Sequence, residues 1–560
     1  DVVGAAAPDD QFLLAALPSL MSDAGVIDDG KPIAADEMRE RLRREILELS
    51  VYYTTNLRTH RVELVVAGAG NGAGETKAAL GWMRRAMLAA DWRADNLPRL
   101  RDLVDQRITE LRQRMLGAEE HWVDDPRDAW WEQNTLEYLH ASSFLTQLHD
   151  LHRLRWMLAG GDDLQRAPAV GFIASLADAR RLPRADLAAL AKALATDAAK
   201  PPAKVARWVT AAHRLPEGTR PLARAAGQDL EALLADLPDA TLASDWAYLC
   251  REMSHDLAAG APATLDKLTR LRARLVVAAR ARLVEVASSA NRSALAADVA
   301  QLVRALPAGE PAMHRAATVA PLDARLAARA GKLARPLQLG LVDPATSSGV
   351  FVNLAPATSY TADGDDALLD YLASNLYTGH GAHSIFMKTW EAGLAYSNGL
   401  HPRPAEGTLD YYAERCPLLP QTLRFVIDHL KQAKPDPNIA RYAIATAFSS
   451  RIANGYENRA AAMAADLVDG LTPDVVRGFR TRMLQLAHKP ELANELFGRM
   501  LRVYGKVLPG LGKPAGDALY FVIGPEKQLA AYEEYLHAAI GKGTRLVRLY
   551  PRDFWITPKL

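Results

Sequence analysis

From about Pro126 to Ala278 the chain is an almost unbroken succession of Ala-, Leu- and Arg-rich segments with helical spacing, cut by Pro168, Pro183, Pro201, Pro216 and Pro238. Proline removes a helix donor and clashes with the preceding turn, so prolines at this spacing favour many short helices over a few long ones. No fixed period of roughly 20–50 residues recurs, which argues against a stacked-repeat solenoid. A bundle of short helices is therefore the block around which the remaining elements must be arranged.

The flanks read differently. Ala34 to Leu47 has helical periodicity, Glu48 to Asn56 and Arg61 to Ala67 read as strands, and Asn56-Leu57-Arg58-Thr59 supplies a hairpin turn between them. Two long helices are expected at about Glu75–Ala90 and Leu97–Leu116, and Pro126 is placed to open the next. A short strand at Ala281–Ala287 and a helix at Ser293–Leu306 follow the helical block, before a Pro- and Ala-bearing stretch at Pro307–Ala320. Strands are then expected at Leu337–Val342, Val350–Ala355, Leu519–Ile523 and Arg545–Leu549. Helices are expected at Asp366–Tyr377, Leu418–Gln432, Ile439–Ile452 and Glu457–Val468. The fold class is α+β. The first α+β unit begins in 1–125, the helical insertion occupies 126–278, the unit ends with a linker in 279–320, and a second α+β unit fills 321–560.

Composition narrows the function classes. Lys plus Arg number 67 against 66 Asp plus Glu, a net charge of +1, without the basic excess of a nucleic-acid binder. At 49% hydrophobic and 24% charged, 560 residues can bury large cores. Cys250 and Cys416 fit no disulfide framework, redox motif or metal spacing. No run reaches the 18 or so apolar residues of a membrane span, since the greasiest, near Leu275–Val286, contains Arg280 and Arg282. The chain is expected to be soluble, with cytoplasm and periplasm both open. It opens at Asp1 without a signal-like core, as a processed or partial chain would.

Several motifs invite chemistry and yield little. Gly68-Ala69-Gly70-Asn71-Gly72-Ala73 fits a dinucleotide loop, but two helices follow it where a second strand ending in an acid is needed. A strand-to-helix turn is the better reading. Glu137-x-x-His140 and His149-x-x-His152 fall on one expected helix, about 14–18 Å apart at helical rise, too far to share an ion. Each pair offers two ligands where zinc wants three or four, so a polar helix face is expected. His380 and His383 also give only two ligands, and Trp130 and Trp131 read as core anchors. No H-x-x-E-H, H-E-x-x-H or G-x-S-x-G occurs.

The informative segment is the helix Asp366–Tyr377, the loop Gly379-His380-Gly381-Ala382-His383, and Ser384-Ile-Phe-Met-Lys-Thr-Trp-Glu-Ala-Gly-Leu-Ala-Tyr-Ser397. That order resembles the C-terminal half of the pitrilysin (insulinase) family of zinc metallopeptidases, with a presequence-protease-like character. In that family a short helix ending in Gly-Leu-Ala-Tyr-Ser leads into a strand. The element order of the first unit, Leu519–Pro525 and Leu549–Trp555 are similar to other parts of the same family.

The resemblance implies a peptide-enclosing clamshell whose zinc lies on the other half. The place comparable to the family's inverted zinc motif is Ala16-Leu-Pro-Ser-Leu20-Met21, without His or Glu, so no metal is assigned to this chain. It implies a zinc-bearing N-terminal half or subunit as partner, a peptide substrate, and no nucleic acid. An Arg and a Tyr of the family's second half donate hydrogen bonds to the scissile carbonyl. Tyr396 matches the Tyr; the Arg falls on Thr389, with Lys388 one residue earlier as a possible substitute. Gly393 and Tyr396 are the implied substrate-binding residues. The alternative is a catalytically silent scaffold or interaction protein derived from the same family.

Overall fold

Leu337–Val342, Gly349–Pro356 and Leu519–Gly524 are nearly continuous apolar runs, and such strands need cover on both faces. A computed structural model, which describes residues 1–160, 162–311, 320–449, 451, 455–512, 514 and 516–558, shows how they obtain it. Among the described residues the strands are β1 (Val26–Asp28), β2 (Lys31–Ile33), β3 (Glu48–Asn56), β4 (Arg61–Ala69), β5 (Leu337–Val342), β6 (Gly349–Pro356), β7 (Ser397–Arg403), β8 (Thr408–Cys416), β9 (Leu519–Gly524) and β10 (Val547–Leu549). The fold is mixed, rich in helix, and of the α+β class.

One six-stranded sheet has the order β10-β5-β9-β6-β8-β7, with β10–β5 and β5–β9 parallel and the other pairs antiparallel. Period-two alternation divides its side chains. Leu339, Val352, Phe521 and Ile523 enter one core with the N-terminal segment and the helix Phe144–Met157. Phe351, Tyr520 and Val522 enter a second core under the helices Asp365–Ser374, Leu419–Gln432, Leu492–Tyr504 and Glu526–Ala539. A third core lies among the helices between Asp163 and Ala259 and admits Trp555 from the far end of the chain, stacked on His149 at 4.6 Å. Among the described residues, no helix is long and apolar enough to cross a membrane.

The β3–β4 ribbon pairs from Glu48↔Ala69 to Asn56↔Arg61. Its turn is organised by Asn56, whose Oδ1 accepts the backbone N–H of Arg58 and Thr59, both at 3.0 Å. Gly68–Ala73 is a strand-to-helix turn: β4 ends at Ala69 and a helix spans Ala73–Leu88. A Cβ on Gly70 would lie 2.4 Å from the Thr76 nitrogen, so close backbone approach explains that glycine.

Some expectations fail. The strand expected at Ala281–Ala287 does not form; the segment is unpaired, with Leu283, Val284 and Val286 exposed. β-Propensity reflects fit to a half-buried pleated surface, and nothing covers this segment. Arg282 is held by its side chain alone, donating to both Glu63 oxygens at 2.7–2.8 Å. The last strand shortens to Val547–Leu549. The expected helix Ile439–Ile452 is found as Pro437–Ser449, and positions 450 and 452 lie outside the described residues, as does 312–319 of the linker stretch. Helices Pro473–Leu486, Leu492–Tyr504 and Glu526–Ala539 had not been anticipated.

Packing reverses one local rule. Gly227 lies inside the helix Arg220–Leu234, where Ala is intrinsically better by about 1 kcal/mol. A Cβ there would sit 2.4 Å from the Ala195 nitrogen and 2.7 Å from the Ala191 oxygen of the helix Arg184–Ala195. Backbone cannot yield as a side-chain tip can, so Gly227→Ala is expected to destabilise by about 1–3 kcal/mol. Urea denaturation checks this; a stabilised variant would mean the two helices stand further apart.

Candidate functional site

Ser384 opens the helix Ile385–Glu391 by accepting the Met387 N–H at 3.2 Å, an N-cap that sets where the helix starts. Gly393, at φ +67°, then reverses the chain. A Cβ there would meet nothing within 4 Å, so the glycine serves conformation and not space. Leu394 N–H closes onto Thr389 O at 3.0 Å, and Tyr396 N–H donates to Glu414 O at 3.2 Å, entering the sheet beside β8. The segment thus delivers Tyr396 to the start of edge strand β7.

Tyr396 is 57% exposed, and its hydroxyl has no partner among the described residues. The Arg415 guanidinium lies 4.5 Å from its ring centroid, a cation–π contact that orients the phenol. Arg415 adopts φ +50°, gives its N–H to Glu119 Oε2 at 3.1 Å, and donates from its guanidinium to Glu120 at 2.8 Å. Trp390 and Leu418, both more than half exposed, belong to the same stretch of the fold. Arg415 was missed from sequence. The register Ser397↔Glu414 places it next to Tyr396, but only a β7–β8 pairing reveals that.

The position that would carry the second donor is closed. Thr389 is 1% exposed, and its hydroxyl donates to Ile385 O at 2.8 Å and Phe386 O at 3.0 Å within its own helix. Lys388 is half-buried in the same helix. Its charge helps hold the imidazoles of His383 and His429 below their ordinary range, after burial as the main cause. No hydrogen bond or ring contact joins Lys388 to Tyr396 among the described residues. Tyr396 and Arg415 are therefore brought together, and Lys388 keeps other company.

Glu414, opposite Ser397, is 7% exposed, and its carboxyl is pushed up to about 8 by burial, then by Asp124, Glu120 and Glu119, with Arg415 opposing. A carboxyl whose folded value is raised stabilises the fold below its unfolded value of 4.5 and loses that contribution as pH rises to about 8. Glu414→Gln is expected to remove this slope, at most ~1.4 kcal/mol per pH unit, from denaturation curves between pH 5 and 8. Parallel profiles for the two proteins would refute it.

The other candidates are structural. Glu137 and His140 lie on the helix Leu136–Ser142, and His149 and His152 on Phe144–Met157, so one expected helix is two. Their expected polar face is instead interior. His140 meets Asp150 at 2.6 Å, His149 meets Glu252 at 2.8 Å, His152 approaches Asp229 at 3.4 Å, and Glu137 accepts the Gly4 N–H at 2.8 Å. Buried polar groups require such partners, and the partners come from more than 70 residues away for three of the four. Trp130 is a core anchor, its indole donating to Asp323 at 2.9 Å. His380 packs on Phe386 and His383 on Tyr442. Ala16, Leu17, Leu20 and Met21 are all buried in the first core, which does not fit a zinc site. Among the described residues no group of three His, Cys, Asp or Glu could hold a metal.

No protein-family model and no curated protein matches the chain. Solved structures that it is similar to include a peptidase M16 inactive domain from Pseudomonas fluorescens, at 13% identity and a TM-score of 0.43, over 91% of this chain and 88% of that one. A conserved protein from Enterococcus faecalis gives 9% and 0.43, over 92% and 90%. A protease from Helicobacter pylori gives 9% and 0.42, over 92% and 89%.

Proposed function

We propose that this chain is the non-zinc half, or a non-zinc subunit, of a metalloendopeptidase of pitrilysin (insulinase) type, composed of two units of that fold with residues 126–278 inserted in the first. The observation that carries the reading is the Gly393-to-Ser397 turn, which presents an exposed Tyr396 hydroxyl, unbonded among the described residues, with Arg415 held against its ring. A phenol donates well to a carbonyl oxygen gaining negative charge, and a neighbouring guanidinium adds a cation that cannot deprotonate. Arg415 would take the part of the Arg absent at Thr389. Lys388 is the lesser candidate, and Gly393 with Tyr396 would border the peptide. Zinc would be held by the partner half, which would generate the attacking water; this chain's residues would enclose peptide and donate hydrogen bonds.

Mass and metal analysis of the complex purified from its source tests this. A second chain, a mass well above 61.0 kDa, about one zinc and peptide cleavage are expected. A zinc-free monomer or homo-oligomer without hydrolysis would refute it. A silent scaffold is the second reading, favoured by the Arg415–Glu120 ion pair, which engages the guanidinium already.

A further inference from the structure

A cleft of about 410 Å³ lies between the helices Tyr456–Val468 and Pro473–Leu486, away from Tyr396 and within the size range of small-ligand sites. The helix Tyr456–Val468 contributes no fully buried side chain, so it spans the cleft without filling it. Met463, Leu467, Val476 and Leu484 line the cleft, and three of these four are more than 40% exposed. Isolated apolar residues on a surface are ordinary, but a concave set of them beside unneutralised charge is not.

The charges in the cleft do not balance. Of its three arginines, Arg451 pairs with Asp466 and Arg477 pairs with Asp474 at 2.9 Å. Arg480 has no carboxylate partner among the described residues. Its guanidinium stacks 3.8 Å over Phe448, Nη2 donates to Phe448 O at 3.0 Å, and Nε is buried without an acceptor. The side chain is only half-buried, so a ligand carboxylate in the cleft would supply the counter-charge that the guanidinium lacks. Thr481 is the one uncharged side chain in the lining with a hydrogen-bonding group. A peptide laid here would bury amides with too few partners, whereas an alkyl chain demands none.

We propose that this cleft binds a medium-chain carboxylate, its head group on Arg480 and its tail along Met463, Leu467, Val476 and Leu484. The site is independent of the peptidase reading and needs no second chain.

Calorimetric titration of the full chain with sodium decanoate tests it. Decanoate is expected to bind about fifteenfold more tightly than octanoate, the worth of two buried methylenes, and more tightly than decan-1-ol. Arg480→Ala should weaken decanoate at least tenfold and leave decan-1-ol unchanged. Val476→Trp, which fills the cleft, should abolish both. If Arg480→Ala does not fold by circular dichroism, the decanoate–decanol comparison and Val476→Trp decide the matter. Equal binding of acid and alcohol, or unchanged decanoate affinity in Val476→Trp, would overturn the proposal. So would a peptide ending in leucine that displaces decanoate at concentrations below the Kd of decanoate.

Discussion

Asp469→Ala is expected to destabilise the protein by about 3–5 kcal/mol, the cost of stripping one partner from a buried, hydrogen-bonded ion pair. Asp469, 6% exposed, receives Arg61 through both oxygens, Nε to Oδ1 at 2.8 Å and Nη2 to Oδ2 at 3.0 Å. Asn56 and Thr59 donate to the same carboxylate at 3.1 and 2.8 Å, and Arg58 donates to the Asp469 carbonyl. One side chain thus fastens the β3–β4 turn to a loop about 410 residues later. Burial alone would lower the Arg61 pKa; Asp469 and Glu63 hold it above its ordinary value. The variant would strand that guanidinium with Glu63, which Arg282 already shares. Urea denaturation measures the loss, and hydrogen exchange should show β3 and β4 opening first. A loss under 1 kcal/mol would mean the hairpin is held elsewhere.

On the proposed reading, Tyr396→Phe in the assembled complex is expected to lower kcat for peptide cleavage by about 10²-fold or more with little change in KM. The phenol oxygen is the only group removed, and no fold contact depends on it among the described residues. Stability should therefore stay within about 0.5 kcal/mol of the parent. Arg415→Ala should reduce turnover as well, but it also releases Glu120, so its stability must be measured alongside. Unchanged kcat in Tyr396→Phe would count against a transition-state role and for the scaffold reading.

Legibility followed the range of the forces involved. β3, β4, β5, β6 and β9 were readable because β-branched and aromatic runs bounded by turn residues encode strands locally. Gly68–Ala73 was readable as a turn because the strands a dinucleotide site needs are absent around it. The segment 281–287 has the same local signal as those strands and yet stays unpaired, since pairing needs a neighbour that composition does not reveal. Arg415 escaped notice for a related reason. It lies 19 positions beyond Tyr396, and only the β7–β8 register brings the two together.

The chain's own periodicity and proline spacing decided that residues 126–278 are short helices and that the flanks mix strand and helix. Those outcomes rest on backbone sterics and neighbours within one or two turns. Packing in three dimensions alone decided that His140, His149 and His152 are buried against Asp150, Glu252 and Asp229, that Asp469 clamps a distant hairpin, that Thr389 faces inward, and that Arg480 has no carboxylate partner among the described residues. Each of these depends on desolvation and on a partner far away in sequence. The energy of a charge is set by everything that surrounds it in space.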